Sequence, residues 1–247
     1  MSGVEILQIA TTVRKDRLPV QEIFGPVPQG EGPYTGRCAC FIRLGRCNLH
    51  CPPCDSKRTW DTTRYDLAVT CPPRAVEEIV ETAKEHGAGL GITVVSGGEP
   101  LLWQRAAAWQ QVLAALPGDV HVETNGTIFP NAFTAERVAH FSVSPKIGRM
   151  GAGDPAKRRI RPEVLGGFAE LARAGRAAFK FVAADTGEVE EAARLVRESG
   201  IPHDKVWIMP LGEDDATWTA AGRSIVEQVM GHGFNFTGRL HLTLGVR

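Results

Sequence analysis

Three of the chain's six cysteines stand close together in the run Cys47-Asn48-Leu49-His50-Cys51-Pro52-Pro53-Cys54-Asp55-Ser56. Thiolate is a soft ligand suited to iron–sulfur clusters and to zinc. Cys47, Cys51 and Cys54 in one short loop can hold three corners of a cubic [4Fe–4S] cluster. Such clusters are ordinarily held by four cysteines, so a set of three leaves one iron open to a small molecule and points to chemistry more than to electron storage. The competing reading is structural zinc, which takes four ligands in tetrahedral geometry, usually from two paired knuckles. His50, Cys40 or Cys71 could supply a fourth ligand, but the sequence holds no second Cys-x2-Cys or His-x3-His pair. Cys38, Cys40 and Cys71 can equally be small buried hydrophobes.

The loop follows a buried strand, Cys38 to Leu44, and the elements after it alternate. A helix opens at Pro72-Pro73 and runs to about His86, with Val76, Ile79, Val80 and Ala83 at helical spacing. Strands follow at 91–95, 120–124, 141–144, 177–183 and 206–209, separated by helices over about 101–116, 162–174 and 188–199. A last helix spans about 215–230, and Arg239 to Leu244 reads as a terminal extended piece. Ahead of the cysteines, residues 4–10 and 20–24 read as short strands around a polar turn, Arg14 to Arg17. The Gly- and Pro-rich run Phe24 to Pro33 reads as a loop, on composition alone a connector. Strands alternating with helices imply a parallel sheet of βαβ units. Six such strands are too few for a closed eight-stranded barrel, so an open, partial barrel is expected. Ser96-Gly97-Gly98-Glu99-Pro100, Glu123-Thr124-Asn125-Gly126, Ser144-Pro145-Lys146 and Met209-Pro210 all follow strand C-termini, as the cysteine loop does. That edge of a parallel sheet is where ligands bind.

Composition narrows the function class. At 247 residues, with formal net charge zero and a pI near 7.0, the chain has no basic field for nucleic acid. The N-terminus lacks the basic and apolar regions of a signal peptide, and no run is apolar enough to span a membrane. A cytoplasmic protein is expected, and in that reducing setting clustered cysteines favour metal or cluster binding over disulfides.

The three-cysteine loop, together with Gly97-Gly98-Glu99-Pro100, resembles the signature of the radical S-adenosylmethionine (SAM) superfamily. Gln29-Gly30-Glu31-Gly32, Phe41-Ile42-Arg43-Leu44, Cys54-Asp55-Ser56, Thr59-Trp60-Asp61, Ser144-Pro145-Lys146 and Arg239-Leu240-His241 occur in one order. This resembles the 7-carboxy-7-deazaguanine synthase family over nearly the whole chain. The resemblance implies a reduced (β6/α3) partial TIM-like barrel as one α/β domain over 1–247, usually dimeric. N-terminal strands (about 4–34) and a C-terminal extended segment (about 238–247) would complete the substrate site.

It also implies site residues. Cys47, Cys51 and Cys54 would bind the cluster, and SAM would chelate the open iron. Pro53, Cys54, Asp55, Gly98, Glu99, Ser144, Pro145, Lys146, Met209, Pro210, Leu211 and Gly212 would contact SAM. Pro28, Gln29, Gly30, Glu31, Arg43, Ser96 and His241, with the terminal carboxylate of Arg247, would surround a pterin. Arg43 suits a substrate carboxylate by two-pronged hydrogen bonding. Ser56 stands where a threonine hydroxyl commonly binds Mg2+. Serine keeps that oxygen, and hard cations want oxygen ligands. Pro53 replaces a common aromatic residue, and Ser96 a common threonine.

The implied reaction converts 6-carboxy-5,6,7,8-tetrahydropterin to 7-carboxy-7-deazaguanine, for queuosine-type nucleosides or deazapurine natural products. A reduced flavodoxin or similar donor would reduce the cluster. SAM cleavage would then give a 5′-deoxyadenosyl radical that takes hydrogen from C6, followed by ring contraction and loss of ammonia, with SAM regenerated. Two rivals stand beside this reading. Another radical SAM enzyme, such as a glycyl-radical activase, would share the cysteine loop without the Gln29/Glu31/Arg43/His241 set. A non-enzymatic zinc-binding protein would need a fourth protein ligand.

Overall fold

The computed structural model describes residues 16–246, so the expected strand at 4–10 and the terminal Arg247 lie outside the described residues. A nine-stranded sheet forms the scaffold, in the order β3-β1-β2-β4-β5-β6-β7-β8-β9. Its strands are β1 (Arg17–Pro28), β2 (Cys38–Leu44), β3 (Pro73–Ala75), β4 (Ile92–Gly97), β5 (Asp119–Thr124), β6 (His140–Val143), β7 (Ala177–Ala183), β8 (Val206–Pro210) and β9 (Asn235–Phe236). From β2 to β9 every neighbouring pair is parallel, while β1 runs antiparallel to β2 and β3. The sheet stays open, so the expected α/β partial barrel is what the chain forms.

Helices α1 (Val76–Glu85), α2 (Ala107–Ala115), α3 (Pro162–Arg173), α4 (Thr186–Glu198) and α5 (Asp215–Gly231) follow strands as parallel crossovers require. Their apolar stripes meet the outer face of the sheet in one core, including Trp109, Phe141, Phe168, Phe179 and Phe181, each under 2 % exposed. Side chains of that size contribute roughly 1.5–3 kcal/mol each when fully buried. The inner face is different. Alternation along β2 puts Ala39, Phe41 and Arg43 on one side, and β4 likewise aligns Ile92, Val94 and Ser96. The lower positions form a small apolar floor with Phe24, Val27 and Tyr34. The upper positions turn polar toward the strand C-termini, which is where the cavity opens.

Several expected boundaries change. β1 continues through the Phe24–Pro28 run expected to be irregular: a register shift between Phe24 and Val27 absorbs Gly25-Pro26, and Val27 and Pro28 pair with Ala39 and Cys38. Arg17, expected in a turn, starts this strand. Pro73–Ala75 forms edge strand β3 before α1 begins, because Arg17–Pro19 offers it a pairing edge. The helix expected over 101–116 is split into a 3-10 turn at Pro100–Trp103 and α2, where the Trp103 indole N–H leaves to bond Gly45 O at 3.0 Å. The C-terminal piece is helical: α6 (Leu240–Leu244) ends at Gly245, whose φ of 64° suits a glycine helix stop. Strand β9 and a short helix at Ala132–Arg137 were not expected.

Candidate functional site

The C-terminal edge of the sheet encloses a cavity of about 660 Å3, within the size range of small-molecule sites. All three loop cysteines line it. The loop is clamped where it leaves β2: Gly98 N–H donates to Leu44 O (3.0 Å), and Glu99 N–H donates to Arg46 O (2.8 Å). A Cβ at Gly98 would stand 1.8 Å from Arg46 O, so only glycine lets β4 approach the loop this closely. Donors point at the sulfurs: Leu49 N–H to Cys47 Sγ at 3.4 Å, and the Trp60 indole N–H to Cys54 Sγ at 3.3 Å. On the outside, Asp154 accepts hydrogen bonds from His50 N–H and meets His50 Nδ1 at 3.2 Å.

Burial, opposed by the Leu49 hydrogen bond, pushes the Cys47 thiol well above the ordinary range, and burial pushes Cys51 up to about 11. Cys47 and Cys51 therefore keep their protons when no metal is bound, and a metal held there would have to displace them. Among the described residues no three His, Cys, Asp or Glu side chains converge as a single metal ion needs. All three thiols line the one cavity. That donor set fits a cluster.

The next wall carries the rim motifs. Gly98, Ser144, Lys146, Met209, Pro210, Leu211 and Gly212 line the cavity with Pro53, Cys54 and Asp55 of the cysteine loop. Lys146 Nζ donates to Ser144 Oγ at 2.9 Å. Glu99 and Pro145 stand behind this wall. Glu99 is fully buried, and its carboxylate accepts from Leu101 N–H (3.0 Å), Thr124 Oγ1 (2.9 Å) and Asn125 N–H (2.7 Å). Burial raises Glu99 to about 7 against those three bonds. The chain thus uses Glu99 to brace the ends of β4 and β5, while its neighbour Gly98 lines the cavity.

The same cavity also collects polar side chains from distant segments. Pro28, Gln29, Gly30, Glu31, Arg43, Ser96 and His241 all line the cavity. Gln29 Nε2 and Ser96 Oγ donate to the two oxygens of Glu123, at 3.3 and 2.6 Å. Arg43 Nε donates to Glu22 (3.0 Å) and its Nη1 to Ser56 Oγ (2.9 Å), which itself donates to Asp55 Oδ1 (3.0 Å). Glu31 pairs with Lys180 and with Arg239 Nε. Although burial opposes ionisation, these two cations hold Glu31 down at about 2. A Cβ on Gly30 would fall 1.9 Å from His241 Nδ1, so the glycine makes room for the imidazole. Burial lowers the His241 pKa, against the pull of Glu31.

Three further residues belong here that were not among the expected site residues: Lys180, which no motif contained, and Glu123 and Arg239, which stood in motifs without an assigned role. Lys180 is a lone charge inside the apolar strand Ala177–Ala183, and a charge in a buried strand is itself a signal. Glu123 shares the inward face of β5 with His121. Arg239 opens the Arg239-Leu240-His241 motif, of which His241 is the expected site residue.

A parallel open barrel, a three-thiol loop after the first parallel strand and a glycine clamp beside it define a radical SAM enzyme. The sequence pattern of the Radical SAM superfamily matches residues 41–220. The chain is 37 % identical to the 7-carboxy-7-deazaguanine synthase of Pyrobaculum aerophilum, over 92 % of this chain and 94 % of that one. It is 36 % identical to the 7-carboxy-7-deazaguanine synthase of Hyperthermus butylicus, over 91 % of this chain and 92 % of its relative. The crystal structure of QueE from Escherichia coli shares the fold, with TM-score 0.64 at 22 % identity, over 91 % of this chain and 95 % of that one. The chain belongs to the 7-carboxy-7-deazaguanine synthase family of the radical SAM superfamily. That membership implies SAM and a [4Fe–4S] cluster as its cofactors.

Proposed function

We propose that the chain is a lyase converting 6-carboxy-5,6,7,8-tetrahydropterin to 7-carboxy-7-deazaguanine by hydrogen abstraction at C6, ring contraction and loss of ammonia. The observation that carries this reading is that Gln29, Glu31, Arg43, Ser96 and His241 line the same cavity as the three thiols. A glycyl-radical activase has no use for that set.

Each group has work that suits a pterin. Glu31, ionised at any physiological pH, can only accept hydrogen bonds, so it selects the N–H donors of the aminopyrimidinone edge. Gln29 offers the opposite polarity next to it, and its bond to Glu123 fixes which way the amide points. Arg43 is held by Glu22 on one side, which leaves its planar fork aimed toward the cavity for the substrate carboxylate. Cys47, Cys51 and Cys54 hold the cluster, and the rim from Gly98 through Lys146 to Gly212 holds SAM. The loaded cofactor pair supplies a 5′-deoxyadenosyl radical for hydrogen abstraction. The protein supplies orientation and excludes water from a reactive intermediate.

Mg2+ has an oxygen set in Ser56 Oγ and the substrate carboxylate. Ser56 Oγ accepts from Arg43 Nη1 at 2.9 Å and donates to Asp55 Oδ1 at 3.0 Å, which leaves one lone pair for a cation. A low-potential electron donor such as reduced flavodoxin completes the requirements. The test is anaerobic reconstitution followed by turnover. Brown protein with about four irons per chain, reductive SAM cleavage and formation of 7-carboxy-7-deazaguanine, stimulated by Mg2+, are expected. SAM cleavage without turnover of the carboxypterin would assign a different radical SAM reaction, and a colourless protein with one zinc would remove the cluster.

A further inference from the structure

Arg239 is donor to three segments at once. Its Nε bonds Glu31 Oε1 at 3.1 Å, its Nη1 bonds Gly212 O at 2.8 Å and its Nη2 bonds Asp55 Oδ2 at 2.9 Å. The side chain is 12 % exposed, against 16 % for Glu31 and 68 % for Asp55. The backbone around it is tied down as well: Leu240 N–H donates to Gly30 O at 3.0 Å, and Gly32 N–H donates to Thr237 Oγ1 at 2.8 Å. One guanidinium thus joins the Gln29–Gly32 loop, the cysteine loop and the end of β8 through the C-terminal segment.

Resting on the function proposed above, we infer that Arg239 is a positioning residue that couples the affinities of SAM and pterin. Glu31 belongs to the pterin wall, whereas Asp55 and Gly212 belong to the SAM wall. The guanidinium is planar with donors in a fixed fork, so its orientation toward one carboxylate sets the geometry of the other. Asp55 is the exposed member of the set, and its pair with Arg239 is screened by water. With SAM bound on the wall that includes Asp55, that water would be excluded and the Arg239–Asp55 pair strengthened, because charges interact more strongly at lower effective dielectric. Arg239 is then fixed in the orientation that presents Glu31, and the pterin binds without the cost of ordering it. Coupling is reciprocal, so the pterin tightens SAM by the same factor.

The experiment measures binding on cluster-loaded protein kept oxidised, so that no turnover occurs. The SAM Kd is read by equilibrium dialysis with and without saturating 6-carboxypterin, and the pterin Kd by fluorescence quenching with and without SAM. The wild-type chain is expected to show a mutual tightening of about fivefold or more. Arg239→Lys places a point charge on a flexible stem that cannot hold both carboxylates, so both ligands still bind while the mutual factor falls to within twofold of unity. Asp55→Asn is expected to reduce the factor likewise, and it serves alone if Arg239→Lys loses the cluster absorbance. In the double variant the factor drops no further than in either single one. A wild-type factor of one, or a factor unchanged in both variants, overturns the coupling while leaving the proposed reaction intact. Absence of pterin binding to the wild-type chain overturns both.

Discussion

Replacing Lys180 with methionine tests how the cavity keeps Glu31 charged. The substitution preserves side-chain length in β7 and removes one of the two cations beside the carboxylate. Glu31 is held at about 2 instead of its ordinary 4.5, although burial acts to raise it. That displacement corresponds to about 3 kcal/mol favouring the ionised form, at about 1.36 kcal/mol per pKa unit. Lys180 is the first-ranked cation in it and adds a direct hydrogen bond, so its share is about half or more of the attraction. Losing it should cost about 2 kcal/mol of stability, or about 4–8 °C in Tm for a domain of this size. The sign with pH is definite. A carboxylate with a depressed folded pKa stabilises the fold above its unfolded value, and the effect is lost as pH falls through the folded one. Wild-type affinity for 6-carboxypterin should therefore show no Glu31 titration between pH 8 and 5. In Lys180→Met the Glu31 pKa rises, so affinity should drop as the buffer is acidified toward pH 5. Fluorescence quenching across that range reads it directly. Equal Tm and superimposable pH profiles for the two proteins would refute the account of Glu31 as a cation-held acceptor.

Three other outcomes follow from single contacts. Gly30→Ala drives a methyl into the space of His241 Nδ1, and should raise the KM for the pterin about tenfold or more, about 1.4 kcal/mol, while the cluster absorbance is unchanged. Trp60→Phe removes the N–H that points at Cys54 Sγ, and should lower the midpoint potential of the reconstituted cluster in a redox titration, because hydrogen bonds to the sulfurs stabilise the reduced state. His121 and His140, whose rings pack 5.4 Å apart under Tyr34, are held by burial at about 4 and about 3. Both pKa values lie below the ordinary 6.5, so the unfolded chain binds protons that the folded chain refuses. Stability should accordingly fall by up to about 3 kcal/mol per pH unit as pH drops from 6 toward 4, and His140→Phe should roughly halve that slope in denaturant titrations.

The cysteine spacing and the strand–helix alternation were legible in the sequence because both are local. Ligand spacing lies within one loop, and hydrophobic periodicity lies within one element. Those two features carried the expectation of a partial barrel whose C-terminal edge holds the chemistry, and the family motifs added the order in which the walls appear. Tertiary structure decided the rest. Glu99 sits in a rim motif beside Gly98, yet only the packing of β4 against β5 turns its carboxylate inward to brace Asn125. The run Phe24–Pro28 has loop composition, and it becomes strand because Ala39 and Cys38 offer it a pairing edge. Arg239 to Leu244 has the alternation of an extended segment, and Gly245 with the docking of Leu240 on Gly30 makes it a helix that swings His241 into the cavity. Lys180 and Arg239 are 149 and 208 residues from the Glu31 they hold, and no local pattern encodes such pairs. Within this chain the thiol loop was determined by neighbouring residues, while the charges around Glu31 were determined by which strand ends the fold brings together.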